Sequence, residues 1–163
     1  MRISIVDDDA NWRERIKRKI IQYNKAKEIE IDVFSSGEGY LASKHQYDIS
    51  FIDIEMSGID GFETISRARE AGGEGLYVIL TTHAEMSRRG YFVNAFRYID
   101  KAHLDELEEA ISSAAIVLGR NKMITVNVIN DGPRKLVLKD IVFIETEKHY
   151  ILIHTKHGDV RCS

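Results

Sequence analysis

Short apolar runs alternate with longer segments of helical periodicity from residue 1 to residue 119. Apolar positions spaced three or four apart predict helices, as in Trp12, Ile16 and Ile20 and in the later stripe from Leu104 to Leu118. Continuously apolar strands separated by helices predict a parallel sheet covered on both faces, an α/β fold of the doubly wound (βα)5 type. Five runs rich in Ile, Val, Phe and Tyr are typical of its strands: Ile3–Val6, Ile29–Phe34, Ile49–Ile54, Leu76–Thr81 and Phe96–Ile99.

The periodicity changes after residue 119. Short β-like stretches follow, separated by turn sequences at residues 130–133 and 157–159, and they predict antiparallel strands. The stretches are Met123–Ile129, Leu136–Leu138, Ile141–Thr146, Tyr150–Thr155 and a run around Val160. We therefore expect a first domain over residues 1–119, a linker over 120–122 and an all-β segment over 123–163.

Composition narrows the class of protein. The chain has 163 residues, 44% hydrophobic and 30% charged, as in soluble globular proteins, and it carries no apolar stretch of membrane-spanning length and no signal-peptide pattern. The single cysteine, Cys162, excludes an internal disulfide and predicts a cytoplasmic location. Residues 1–119 carry 15 Lys and Arg against 21 Asp and Glu, whereas residues 120–163 carry 8 against 5. The acidic part could serve a cation and the basic part could face a phosphate backbone, although an ordinary solvated surface explains the basic part equally well.

Acidic, hydroxyl or ammonium groups follow four of the five predicted strands. They are Asp7, Asp8 and Asp9 after the first, Asp53 and Glu55 at the third, Thr81 and Thr82 at the fourth, and Lys101 after the fifth. Because ligands of a parallel sheet lie beyond the carboxyl ends of its strands, we expect these side chains to share one edge. By itself the aspartate triplet favours an acidic turn whose last member caps a helix. Together the residues favour a Mg²⁺ site beside Asp53, a candidate phosphoryl acceptor.

Four segments, in this order and spacing, resemble the receiver domain of two-component response regulators. They are Val6–Asp9, Phe51–Gly61, Ile79–Thr82 and Tyr98–Lys101. The resemblance implies a flavodoxin-like receiver over residues 1–119 in which Asp53 accepts a phosphoryl group from a sensor histidine kinase. It also implies that Mg²⁺ is the cofactor, held by Asp7, Asp8, Asp53 and the backbone carbonyl of Glu55. In that register Asp9 lies outside the metal set and keeps the role of helix cap.

The same resemblance implies a conformational switch. Lys101 would pair with the phosphoryl oxygens, and Thr81, with Thr82 beside it, would turn its hydroxyl toward the phosphate. Tyr98 would then move inward and change the face made by the fourth helix, fifth strand and fifth helix, a face on which two copies could form a homodimer. The sequence departs from the family at Ser57 and Ala102, where the family usually has proline.

The segment from Leu136 to Tyr150, continuing to Thr155, resembles the start of a LytTR-type DNA-binding module. The resemblance lies in the pattern Asp-Ile-x-x-Ile-Glu followed by Lys-His-Tyr, and it covers about half of such a module. It implies a transcription regulator in which His149 occupies a loop that contacts bases in related proteins. On the residues alone, a solvated loop residue is the favoured interpretation of His149.

Two alternatives remain open at this point. In the first, the receiver acts only through protein contacts and the tail is an interaction or dimerisation element. In the second, the chain is a haloacid-dehalogenase-type phosphatase with Asp7 as nucleophile and Asp9 as acid and base, which leaves the match from Asp53 to Gly61 unexplained. The receiver interpretation makes the chain a phosphoacceptor regulatory protein and not an enzyme, apart from slow autodephosphorylation.

Because only part of a LytTR-type module is recognisable, we expect residues 1–163 to bind DNA weakly or not at all, with DNA a partner of the full-length protein. Fluorescence anisotropy with labelled duplexes at fixed salt checks this expectation. Tight, sequence-specific binding by these residues would contradict it.

Overall fold

The computed structural model describes residues 1–23, 29–82, 93–120 and 123–162. They form two compact units, Met1–Ala114 and Ala115–Ser163. Asn121 and Lys122 of the predicted linker lie outside the described residues, and the predicted domain limits stay a prediction. Within the described ranges, no helix is long and apolar enough to cross a membrane.

The first unit is built on a parallel sheet. Its strands are β1 (Arg2–Val6), β2 (Glu30–Phe34), β3 (Ile49–Asp53), β4 (Leu76–Thr81) and β5 (Arg97–Asp100). The described helices are α1 (Ala10–Tyr23), α2 (Gly37–Leu41), α3 (Gly61–Glu70) and α4 (Glu106–Arg120), the last of which continues into the second unit. The strand order β2-β1-β3-β4-β5 is that of flavodoxin-like folds and confirms the predicted class. The fourth helix expected of a receiver lies outside the described residues, so α4 corresponds to the expected fifth helix.

Both faces of this sheet are buried at its three central strands, β1, β3 and β4, as continuously apolar strands require. One face packs with α2 and α3 in a cluster that includes Val6, Ile52 and Ile79 from the strands and Phe62 and Ile65 from α3. Successive residues of a strand point to opposite faces, so the neighbouring positions serve the other side. Those positions are also buried: Ile3, Ile5, Phe51, Val78 and Leu80, as are Ile16 and Ile20 of α1 and Leu107, Ala110, Ile111 and Ala114 of α4. The helical stripes predicted from Trp12 and Leu104 onward are thus confirmed.

The second unit is an antiparallel sheet and confirms the predicted all-β segment. Its strands are β6 (Met123–Val128), β7 (Gly132–Val137), β8 (Ile141–Glu147), β9 (Tyr150–Thr155) and β10 (Gly158–Cys162), in the order β7-β6-β10-β9-β8. One strand differs from the prediction. The run Leu136–Leu138 was expected to be a strand, but the strand begins at Gly132, and Leu138–Asp140 form a 3-10 turn. Pro133 is accommodated because β7 is an edge strand, where an N–H can be absent without loss of a ladder hydrogen bond.

His154 links three strands of the second unit. Its Nε2 lies 2.9 Å from Glu145 Oε1 on β8, and its Nδ1 lies 2.8 Å from Asp159 Oδ1 on β10. Phe143 stacks on the ring with centroids 4.0 Å apart. The hydrogen bond to Glu145 raises the pKa of His154 above its ordinary value, and the charge of Asp159 acts in the same direction, while partial desolvation opposes both.

The two carboxylates favour the charged form of the His154 ring. We therefore expect the cluster to stabilise the second unit at pH values below the ordinary histidine pKa, and to lose this contribution as the pH rises through the raised pKa of His154. Urea unfolding of wild type and of His154→Gln can be followed by the amide resonances of β8–β10. The unfolding midpoint of wild type should exceed that of the variant most at about pH 5 and least at about pH 9. A ring titration by NMR should place the pKa of His154 above about 6.5 in wild type and lower in Glu145→Gln. Glu147→Gln, which removes a carboxylate from the same strand, is the matched control. A His154 titration unaffected by Glu145→Gln would contradict the assignment.

Candidate acidic site at the carboxyl edge of the parallel sheet

The candidate site lies where the sheet reverses its direction of growth. β1 and β3 are neighbours in the sheet although β2 lies between them in sequence, and such a switch point opens a crevice beyond the carboxyl ends of the strands. Asp7 follows β1 directly, and Asp53 is the last residue of β3. Both are buried, with 1% and 7% of their surface exposed. The topology therefore brings two buried carboxyl groups to one crevice.

Lys101 supplies the positive charge at this crevice. The residue follows β5 and begins a 3-10 turn. Asp100 caps this turn, because its Oδ1 accepts a hydrogen bond from Ala102 N at 2.8 Å. The Lys101 side chain is 4% exposed, and its Nζ lies 2.7 Å from Asp7 Oδ2 and 2.8 Å from Asp53 Oδ2. One buried ammonium thus contacts two buried carboxylates.

The balance of charge at this cluster is negative. Burial raises the pKa of the Asp53 carboxyl above its ordinary value, and the charge of Asp7 acts in the same direction. The Lys101 ammonium opposes both through a hydrogen bond and its charge. With Asp7 and Asp53 ionised, one ammonium leaves one negative charge uncompensated, so a further cation is favoured here.

The aspartate triplet divides into separate roles. Asp7 Oδ1 accepts a hydrogen bond from Asp9 N at 2.9 Å, which folds the turn after β1. Asp9 Oδ1 accepts one from Asn11 N at 2.7 Å at the start of α1, which confirms the predicted cap. Asp8 is exposed and accepts hydrogen bonds from Ser57, whose N–H and hydroxyl lower the pKa of the Asp8 carboxyl.

Three carboxylates of this edge lie close enough together to hold a cation. Asp7, Asp8 and Asp53 each offer an oxygen within 4.8 Å of the others. Asp7 Oδ2 is buried and, among the described residues, receives no well-directed hydrogen bond, although the Lys101 ammonium lies close to it. Hard oxygen ligands with surplus negative charge suit Mg²⁺, so the residues fit the cofactor that the sequence implies. Glu55, whose carbonyl was predicted to assist, lies exposed two residues beyond β3.

The predicted switch residues lie on the two neighbouring strands. Thr81 is the last residue of β4 and is buried, whereas Thr82 is exposed just beyond the strand. Tyr98 lies on β5 and is half-buried against the cluster that fills the α2 and α3 side of the sheet. The predicted base-contacting residue, His149, belongs to the other unit and is exposed in the two-residue turn between β8 and β9.

Three contacts at this edge were not predicted from the sequence. Trp12 was assigned only to the buried stripe of α1, but the Lys101 Nζ lies 5.2 Å from the centre of its ring. Arg13 donates from Nη1 to the carbonyl oxygen of Asp7 at 2.6 Å. Ser57 was noted only as a departure from proline, and nothing in the sequence links it to Asp8, which is 49 positions away.

Comparison with known proteins agrees with this fold. The response regulator receiver domain family matches residues 3–112, more than half of the chain. The chain therefore belongs to this family, whose members are regulatory proteins and not enzymes in the usual sense. The phosphatase alternative gains no support from this match, and the Asp9 side chain that it would use as acid and base is engaged with Asn11.

Two relatives align over nearly the whole chain. One is the positive alginate biosynthesis regulatory protein of Pseudomonas aeruginosa, 24% identical over 98% of this chain and 71% of its own length. The other is the sensory transduction protein LytT of Bacillus subtilis, 23% identical over 95% of this chain and 69% of its own length. Among solved structures, the response regulator TrrA of Thermotoga maritima, in complex with Mg²⁺ and BeF, is 30% identical, covers 69% of this chain and 97% of its own, and has a TM-score of 0.62.

The charge imbalance predicts opposite effects of two substitutions on the free energy of unfolding without divalent cations. Lys101→Met leaves two buried carboxylates unpaired and should destabilise by about 3–5 kcal/mol. Asp53→Asn leaves Asp7 and Lys101 as a balanced pair and should stabilise by about 0.5–2 kcal/mol. Urea unfolding followed by Trp12 fluorescence measures both, with Lys44→Met, at an exposed lysine, as the control. A loss of stability in Asp53→Asn would contradict the surplus of negative charge.

Proposed function

We propose that this chain is a phosphorylation-controlled switch in which Asp53 accepts a phosphoryl group from a sensor histidine kinase. The observation that carries the proposal is the cluster of Asp53, Asp7 and Lys101, buried together at the switch point of a flavodoxin-like sheet. A carboxylate, a surplus of negative charge for a cation and a fixed ammonium are the parts that phosphoryl transfer to an aspartate needs.

Each residue of the cluster has a separate role in the phosphoryl transfer. A carboxylate oxygen of Asp53 attacks phosphorus, an O–P bond forms, and the P–N bond of the donor phosphohistidine breaks. Asp7, Asp8, Asp53 and the backbone carbonyl of Glu55 would hold Mg²⁺, which would supply positive charge to the phosphoryl oxygens. Lys101 exchanges its contact with the Asp53 oxygen for one with a phosphoryl oxygen, so its charge stays compensated.

The positions of Thr81 and Tyr98 support the proposed switch. Thr81 closes β4, next to β3 in the sheet, so a phosphoryl group on Asp53 draws its hydroxyl, with Thr82 at the rim. Tyr98, half-buried on the adjacent β5, moves into the space that Thr81 leaves. This movement would alter the face made by the expected fourth helix of the receiver, by β5 and by α4, which is the expected fifth helix. We infer that this face regulates homodimer formation.

We further propose that the output is transcription control in the cytoplasm. LytT of Bacillus subtilis and the alginate regulatory protein align over both units of this chain, and the second unit is the antiparallel sheet expected of a LytTR-type segment. The turn between β8 and β9 presents His149 to solvent, where it is accessible to DNA in the full-length protein. Its partners are thus a sensor kinase through the first unit and DNA through the second.

Phosphodonor labelling tests the acceptor. With a small phosphodonor and Mg²⁺, wild type should gain the mass of one phosphoryl group, and Asp53→Asn should gain none, because its amide is not a nucleophile. Chelation of Mg²⁺ should abolish labelling of wild type. Peptide mapping identifies the labelled residue.

Asp9→Asn is the matched control, since it removes a carboxylate from the same triplet that only caps α1. It should label like wild type. Labelling of Asp53→Asn at the wild-type level would overturn the proposal, and phosphate mapped to Asp7 would point to phosphatase chemistry instead.

A further inference from the structure

Ser57 makes two hydrogen bonds to one oxygen of Asp8. Its backbone N–H and its hydroxyl both donate to Asp8 Oδ2, each at 2.9 Å. Asp8 is exposed at the rim of the acidic cluster and offers an oxygen within 4.8 Å of those of Asp7 and Asp53. Of the three clustered carboxylates, Asp8 is the exposed one, and an exposed carboxylate is free to rotate unless hydrogen bonds hold it.

The loop that carries Ser57 is held in place without Asp8. The backbone of Ile59 donates to Glu38 Oε1 of α2 at 3.1 Å. Gly58 has φ +86°, a backbone conformation that favours glycine, and it lies beside the same Glu38 oxygen. Asp60 caps α3 by accepting from Glu63 N at 2.8 Å. Ser57 is therefore a fixed donor group, and Asp8 is the partner that it orients.

We propose that Ser57 is a positioning residue for the metal site: it holds the Asp8 carboxylate in the orientation that Mg²⁺ requires. This inference rests on the proposed function. Hydrogen bonds to ligating carboxylates commonly fix their orientation, and their loss lowers metal affinity. Proline, the usual residue of the family at this position, has neither an N–H nor a hydroxyl, so Ser57 gives this chain two contacts that such relatives cannot make.

The proposal distinguishes Mg²⁺ from Ca²⁺. Mg²⁺ demands near-ideal octahedral geometry, whereas Ca²⁺ accepts a flexible shell of oxygen ligands. A carboxylate released from Ser57 should therefore lose more affinity for Mg²⁺ than for Ca²⁺. If the two donors merely drew charge from Asp8, their removal would strengthen the binding of both cations.

Cation titrations of the unphosphorylated chain provide the test. Trp12, the single tryptophan, lies beside Lys101 and reports on the cluster by fluorescence, and calorimetry gives the same constant without a fluorophore. Relative to wild type, the Kd for Mg²⁺ should rise several-fold in Ser57→Ala, which keeps the N–H, and about tenfold or more in Ser57→Pro, which keeps neither donor. Ser57→Thr, which keeps both donors, should restore wild-type affinity. The Kd for Ca²⁺ should change less in each variant.

Ser43→Ala is the matched control, because this serine hydroxyl is bonded to Tyr47 and not to the acidic cluster. Unchanged or tighter Mg²⁺ binding in Ser57→Ala would overturn the inference, as would equal losses for Mg²⁺ and Ca²⁺. If wild type is labelled at Asp53 and the Ser57 substitutions leave the Kd for Mg²⁺ unchanged, only the inference about Ser57 is refuted. If wild type neither binds Mg²⁺ nor is labelled, the proposed function is refuted as well.

Discussion

The buried ammonium of Lys101 is the interaction on which the acidic edge of the first unit depends. It lies 2.7 Å from Asp7 and 2.8 Å from Asp53, two carboxylates that would repel each other strongly in a poorly hydrated crevice. Because one cation cannot neutralise two anions, the cluster folds with a residual affinity for positive charge. The same arrangement that makes the edge stable enough to form therefore favours a further cation there, as the proposed function requires.

The meeting of Asp7, Asp53 and Lys101 was predictable because it depends on topology. Residues that end parallel strands must share an edge, and the apolar runs located those strand ends within one or two positions. The contact of Ser57 with Asp8 was not predictable in this way. It depends on the path of a loop held by Glu38 and Gly58, which no periodicity encodes.

In the second unit, too, some side-chain contacts could not be predicted from the sequence. Its strands were predictable from alternating residues, but the cluster around His154 depends on register, which pairs this residue with Phe143 on one side and Asp159 on the other. The extent of β7 likewise depends on sheet order, because Pro133 is tolerated at the edge position that this strand occupies. Pairing partners and edge positions are properties of the assembled sheet, and a linear pattern of residues does not contain them.

The course of α4 has a practical consequence for dissecting the protein. This helix runs from Glu106 to Arg120 without a break, although the compact units divide at Ala114 and the family match ends at residue 112. A recombinant receiver ended at either position would stop within a helix and expose backbone carbonyls that now accept hydrogen bonds from the following turn. Chimaeras that exchange the output module are better joined after Arg120, because the helix then keeps its full length and its backbone hydrogen bonds.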